Sequence, residues 1–224
     1  MPPPTESPLS KEERRLLASR FESPWFRNYV KSKLRTDPLY PAVWQELKGS
    51  TLPLLDLGCG LGLSAFFLRH CGFTPPIVGL DYDLPKIEAA QTIAEQFYPD
   101  TEFCHGDARD GIPEFTGSVT ILDILQFFEK PEQQRVLESA AHSVAGGGKL
   151  VIRSGLQDTS WRFQITRIGD RFARATRWMK AAPACYPTHE FICGILENAG
   201  LKGTTKPLWG KTPFNNYLLS YSRF

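Results

Sequence analysis

At 224 residues the chain is long enough for one α/β domain with additions and for a sizeable buried core. Its net charge of +2 carries no strong basic field of the kind nucleic acids attract, and no apolar stretch approaches the ~20 residues that span a bilayer. The five cysteines (Cys59, Cys71, Cys104, Cys185 and Cys193) are odd in number and lack Cys-x-x-Cys spacing, which argues for reduced thiols and against disulfides or a zinc site. Residues Met1–Pro8 have neither the basic nor the apolar region of a signal peptide. The expectation is a cytoplasmic protein that binds no metal, nucleic acid or membrane.

Residues 1–9 are proline-rich and are expected to be a disordered tail. Residues 10–50 are expected to form a helical cap across the mouth of the core. Ser10-Lys11-Glu12-Glu13 has the form of a capping box, and Pro24 and Asp37-Pro38 punctuate two further short helices near 24–34 and 38–48. From residue 51 the rhythm becomes strand–helix–strand. A strand at 52–57 leads to a helix at 62–71, the strand Ile77–Asp81 to a helix Leu84–Phe97, and strands follow at Thr101–Cys104 and Val119–Leu125. A helix opening at Pro131 runs to Val144, and Gly146-Gly147-Gly148 turns into a fifth strand, Lys149–Arg153. This alternation predicts an α/β fold with a mostly parallel sheet covered by helices on both faces. Pro187-Thr188-His189-Glu190 opens another helix that Gly200 terminates, and strands near 202–209 and 216–222 form a closing hairpin.

Asp56-Leu57-Gly58-Cys59-Gly60-Leu61-Gly62 is the most informative segment. A strand, a glycine turn and a helix in that order build a ligand site at a helix N-terminus. Gly58 allows the tight turn, Gly60 lets a ligand approach the backbone, and Gly62 lets helix and strand pack closely. A dinucleotide fold would want its third glycine where Leu63 stands and gains nothing from a carboxylate at Asp56. An acid there suits a ligand with positive charge. Asp81 ends the second predicted strand, 19 positions beyond Gly62, the place for an acid that grips ribose hydroxyls; it or Asp83 could instead cap the following helix. Gly106-Asp107-Ala108 follows the third strand, where a carboxylate can accept from an exocyclic amine beside a small residue. Asp123 lies inside the predicted fourth strand; it either borders the pocket with Gln126 or caps the local turn.

These segments resemble the class I S-adenosylmethionine-dependent methyltransferases. Leu54 through Gly62 matches the family's first motif, Val78-Gly79-Leu80-Asp81 its acidic strand, Gly106-Asp107-Ala108 its adenine-contacting turn, and Ala145 through Leu150 the turn before its fifth strand. The likeness covers roughly residues 50–155. It implies a Rossmann-like seven-stranded sheet whose last strand runs antiparallel beside the fifth, with S-adenosyl-L-methionine as cofactor. It also implies a cofactor site made of Asp56, Gly58, Cys59, Gly60, Asp81, Tyr82, Gly106, Asp107, Ala108 and Asp123. A weaker resemblance, in the aromatic run 207–217, is to methyltransferases of aryl-polyene pigment clusters.

The implied reaction is methyl transfer to a small-molecule acceptor, an aromatic or carrier-bound acid. Such catalysis is mostly positioning and exclusion of water, with a general base only for a weakly acidic acceptor. Arg153, His105 and His189 are the candidate catalytic residues. Arg153 could clamp an acid on the acceptor or form a structural salt bridge, and each histidine could equally be structural. The segment 156–186 is expected to be a lid. In it Ile165, Ile168, Phe172, Ala175 and Met179 form an apolar stripe opposite Arg167, Arg171, Arg174 and Arg177. That basic face is either simply solvated or docks an acidic partner such as an acyl carrier protein. The second reading of the chain is a catalytically silent cofactor-binding subunit that acts through a protein partner, and a third is a dehydrogenase.

Overall fold

The computed structural model describes residues 7–175, 183–210 and 212–224, leaving out the side chains of 170–175. The chain divides into two compact units between Ala108 and Arg109. In the first, Ser10 caps helix α1 (Lys11–Ser19) as its signature predicts: its hydroxyl accepts from the Glu13 N–H at 3.1 Å, and the Glu13 carboxylate accepts from the Ser10 N–H at 2.7 Å. Ser23 caps α2 (Pro24–Thr36), and Asp37 closes it and accepts from the Leu39 N–H that opens α3 (Leu39–Leu47).

Strands β1 (Leu54–Leu57), β2 (Ile77–Asp81) and β3 (Thr101–His105) pair in parallel, joined by α4 (Leu63–His70) and α5 (Leu84–Phe97). Every residue of β1 is buried, as expected for a parallel strand covered on both faces. The register aligns Leu57 with Leu80 and Asp81 with His105, so the carboxyl ends of the three strands share one edge.

Aromatic packing ties α1 to this layer. Phe21 meets Phe66 edge-on at 6.3 Å, Phe66 stacks on Tyr98 at 4.8 Å, and the Arg20 guanidinium lies 4.3 and 4.7 Å from the Phe97 and Tyr98 rings. Burial, and then the Arg20 charge, hold the nearby His70 imidazole below its ordinary value, with Glu13 opposing them. A histidine kept neutral in the folded chain takes up protons more readily when unfolded. Its contribution to stability is therefore lost as pH falls through ~6.5 and levels off once the folded imidazole also titrates. Thermal melts at pH 7.5 and 5.5 should show a drop in Tm on acidification that is smaller in His70→Gln. An equal drop in both proteins would contradict this.

In the second unit β4 (Ser118–Leu122) pairs in parallel with β5 (Lys149–Gly155), followed outward by β7 (Asn216–Ser222) and β6 (Lys202–Pro207), both antiparallel pairings. With α6 (Lys130–His142), α7 (Trp161–Ala175) and α8 (His189–Asn198), the chain has the mixed seven-stranded sheet that the resemblance implies, in the order β3-β2-β1-β4-β5-β7-β6. β7 runs antiparallel beside β5, with Leu150 opposite Tyr221.

Three expectations are corrected. β4 ends at Leu122, so Asp123 stands outside the strand, in a left-handed turn with φ 62°. β5 continues to Gly155 because β7 supplies partners for Ser154 and Gly155 in Tyr217 and Asn216. Among the described side chains of α7 the buried ones are Phe163 and Thr166, whereas Ile168 is 52% exposed. The cause is polar. Thr166 accepts from the N–H of fully buried Asn215 at 2.8 Å, and the Asn215 amide donates to Leu156 O and to Asp158, which turns the Phe163–Thr166 side inward. The expected roles of Phe172, Ala175, Arg171 and Arg174 rest on side chains outside the described ones, and Arg177 and Met179 lie outside the described residues.

Candidate functional site

The glycine loop leaves β1 with Gly58, Gly60 and Gly62 at φ 73°, 54° and 69°, a conformation in which a Cβ is strained. The N–H groups of Gly58 and Cys59 both donate to Leu80 O, at 2.7 and 3.1 Å, which pins the loop over the end of β2. A Cβ on Gly62 would run into the Phe103 ring, so Gly62 serves the packing of α4 on the sheet. Beside Gly60 the nearest atom to such a Cβ is Lys86 Cδ at 4.0 Å, and the backbone is approachable there.

Two carboxylates flank this loop. Asp56 is 1% exposed and Asp81 8%. Asp81 accepts from the Gly60 N–H and the Asp83 N–H, each at 2.8 Å, one on each oxygen, so it fastens the loop to the start of α5 while keeping further lone pairs on both oxygens. Burial first, and then the fields of Asp56 and Asp81, push the Cys59 thiol well above its ordinary range and keep it neutral. Asp83 stands at the N-cap position of α5 without a capping side-chain bond and instead pairs with Lys86 at 3.1 Å.

Gly106 donates to Asp81 O at 3.0 Å, and a Cβ on it would meet Leu80 Cδ1 at 2.9 Å. Ala108 after it is buried, Asp107 is half-buried, and Tyr82 is half-exposed. His105 is exposed, and its Nε2 lies 3.1 Å from Tyr82 O, where the ring must be the donor. That nitrogen holds the Tyr82 turn.

In the second unit Arg153 and Asp123 form a bidentate pair. Arg153 Nε donates to Asp123 Oδ1 at 2.7 Å and Nη2 to Oδ2, while the Asp123 N–H donates to Arg153 O at 2.9 Å. The Arg153 side chain is 4% exposed and that of Asp123 34%, so the arginine is a buried cation that fixes a carboxylate at the surface of the turn. Gln126 donates to Asp123 O at 2.9 Å, and its own carbonyl accepts from the N–H groups of Ala184 and Cys185. His189 is not part of this group. Its Nε2 is 2.9 Å from Thr205 Oγ1 in the edge strand β6 and 3.2 Å from Cys193 Sγ, with β7 between β6 and Arg153's strand. Two residues that the sequence did not mark also contribute. Lys86 borders the glycine loop, and its spacing from Asp83 (i, i+3) was the available signal. Gln133, fully buried, donates to the carbonyls of Leu125, Phe128 and Cys185 and so holds the chain after α7 to the turn after β4; a lone glutamine gives no such signal.

A glycine loop at the carboxyl end of β1, with buried acids near the ends of β1 and β2, is an arrangement that can hold a nucleoside-like ligand carrying positive charge. Residues 54–148 match the family described as "Methyltransferase domain". Carboxy-S-adenosyl-L-methionine synthase of Colwellia psychrerythraea is 30% identical over 104 residues, 44% of this chain and 42% of that protein. The chain spans less than half the length of the curated relatives it matches. Among solved structures, magnesium protoporphyrin IX methyltransferase from Synechocystis with bound SAH superposes with a TM-score of 0.67 at 15% identity, over 93% of this chain and 99% of that one. An O-methyltransferase family 2 protein from Planctomyces limnophilus in complex with apigenin gives 0.64 at 17% identity, over 96% and 63%. Over residues 54–148 the chain is thus similar to a methyltransferase domain, and its fold is that of the solved methyltransferases. Among the described residues no helix is long and apolar enough to cross a membrane.

Proposed function

We propose that the protein transfers a methyl group from S-adenosylmethionine to a small-molecule acceptor. The observation that carries this reading is the pair of buried carboxylates, Asp56 and Asp81, around an approachable left-handed glycine loop. When bound, the cofactor supplies a methyl group already activated by its sulfonium. Asp81, Tyr82, Asp107 and Ala108 would hold its nucleoside part, and Asp56 with Gly58 and Gly60 its charged amino-acid end. The remaining work is orientation and exclusion of water. In the second unit, Arg153 is a positioning residue that holds Asp123 in its turn. The solved neighbours named for apigenin and protoporphyrin support an acceptor that is a small organic molecule.

The test is a transfer assay with methyl-labelled S-adenosylmethionine against small phenols and carboxylic acids, each acid offered both free and tethered to an acyl carrier protein. Label should appear in at least one acceptor, and a preference for the tethered form that charge reversal at Arg171 and Arg174 abolishes would support carrier docking on the basic series. Cofactor binding with no transfer to any acceptor would overturn the enzyme reading in favour of a silent subunit.

A further inference from the structure

A second group of reactive side chains gathers in the second unit, where α8 meets the closing strands. Cys193 follows His189 by four positions, so both stand on one face of α8, and His189 Nε2 lies 3.2 Å from Cys193 Sγ. From β7 the Tyr221 hydroxyl donates to the same sulfur at 2.9 Å. From β6 the Thr205 hydroxyl lies 2.9 Å from His189 Nε2 and 4.0 Å from the sulfur. A thiol, an imidazole and two hydroxyls thus converge from three elements.

The fold fixes this group in place. Tyr221 lies opposite Gly203 of β6, where a Cβ would meet the ring Cγ at 2.6 Å, so the glycine leaves room for the ring. Burial, and then the bond to sulfur, hold the Tyr221 phenol above its ordinary range, so it stays protonated and keeps donating. Cys193 is 7% exposed, which limits access to a small reagent, whereas His189 is exposed and β6 is the last strand of the sheet.

A cysteine that only packs needs no such company. Structural thiols sit in apolar surroundings and are inert, while reactive ones have a base and hydrogen-bond donors at the sulfur. In the tautomer with its proton on Nδ1, His189 can take the thiol proton on Nε2. The Thr205 hydroxyl then accepts from Nε2, and Tyr221 donates to the thiolate.

We propose that Cys193 is a peroxide-reactive thiol with His189 as its base. The thiolate attacks one oxygen of hydrogen peroxide, an S–O bond forms as the O–O bond breaks, and the leaving hydroxide takes the proton held on Nε2. Sulfur loses two electrons and the peroxide gains them, so the products are the Cys193 sulfenic acid and water. This chemistry is independent of methyl transfer and needs neither S-adenosylmethionine nor an acceptor.

The test exposes the full chain to hydrogen peroxide with dimedone present and follows the labelling of each cysteine over time by mass spectrometry of the digest. Cys104, which is exposed, is the reference. Cys193 should take dimedone about tenfold faster than Cys104 or more, and His189→Asn, a change at an exposed position, should slow Cys193 by about the same factor. Faster labelling of Cys104 than of Cys193 would overturn the proposal. So would a Cys193 rate that stays at the parent's value in both His189→Asn and His189→Gln, and the four side chains would then be only a polar tie between α8 and the closing strands.

Discussion

Asp81→Ala should weaken S-adenosylhomocysteine binding by a hundredfold or more. A carboxylate that accepts two ribose hydroxyls contributes about 1.5–3 kcal/mol per bond, and each 1.4 kcal/mol is a factor of ten. The same substitution has a cost without ligand, because Asp81 also accepts from the N–H groups of Gly60 and Asp83. Leaving these donors unanswered costs about 2 kcal/mol in all, a drop in Tm of about 4–8 °C for a chain of this size. Asp81→Asn separates the two roles. It keeps one acceptor oxygen and loses the charge, so its affinity should fall between the parent and the alanine variant. Calorimetry with S-adenosylhomocysteine on all three proteins, alongside melting curves, checks the order. Parent-like affinity in Asp81→Ala would remove Asp81 from the cofactor site.

The pair formed by Asp123 and Arg153 should respond asymmetrically to loss of either partner. Asp123→Ala takes the bidentate carboxylate away from a guanidinium on a side chain that is 4% exposed, whereas Arg153→Met leaves a carboxylate that is 34% exposed and can be hydrated. Removing one partner of a buried pair costs about 3–5 kcal/mol, and loss of a partner from a hydrated charge costs about 1 kcal/mol. Alanine at 123 adds about 1 kcal/mol because that position is left-handed, with φ 62°, and Asp123→Gly removes this part. The double variant Asp123→Ala with Arg153→Met should recover most of the loss, since the buried charge is removed together with its carboxylate. Urea unfolding of the four variants measures these differences. Equal destabilisation by the two single substitutions would contradict the burial argument.

Much of the first unit is legible from local chemistry. The span Leu84–Phe97 follows from a proline in its first turn and apolar spacing, and the capping box at Ser10 from two residues three apart. The glycine loop is legible because left-handed backbone beside a close-packed Phe103 leaves few residues other than glycine. What could not be read depends on partners far along the chain. Nothing in Thr120-Ile121-Leu122-Asp123-Ile124-Leu125 tells where the strand stops. The stop is set by Arg153, 30 residues away, whose carbonyl and guanidinium both hold Asp123. In α7, periodicity places Ile165 and Ile168 together on an apolar stripe. A hydrogen bond from Asn215, 49 residues distant, buries Thr166 instead, because an unsatisfied amide in the interior would cost more than an exposed isoleucine. Arg153 was visible as a strand-end residue near the site. Its commitment to Asp123 was not, because ion pairing at that separation leaves no periodic trace.

The central claim is that the loop and its two acids hold S-adenosylmethionine. Isothermal titration of the unmodified protein with S-adenosylhomocysteine and, separately, with NAD tests it most directly. The predicted result is saturable binding of S-adenosylhomocysteine at one site per chain, with no heat from NAD. Binding of NAD without S-adenosylhomocysteine would contradict the account and return the glycine loop to a dehydrogenase.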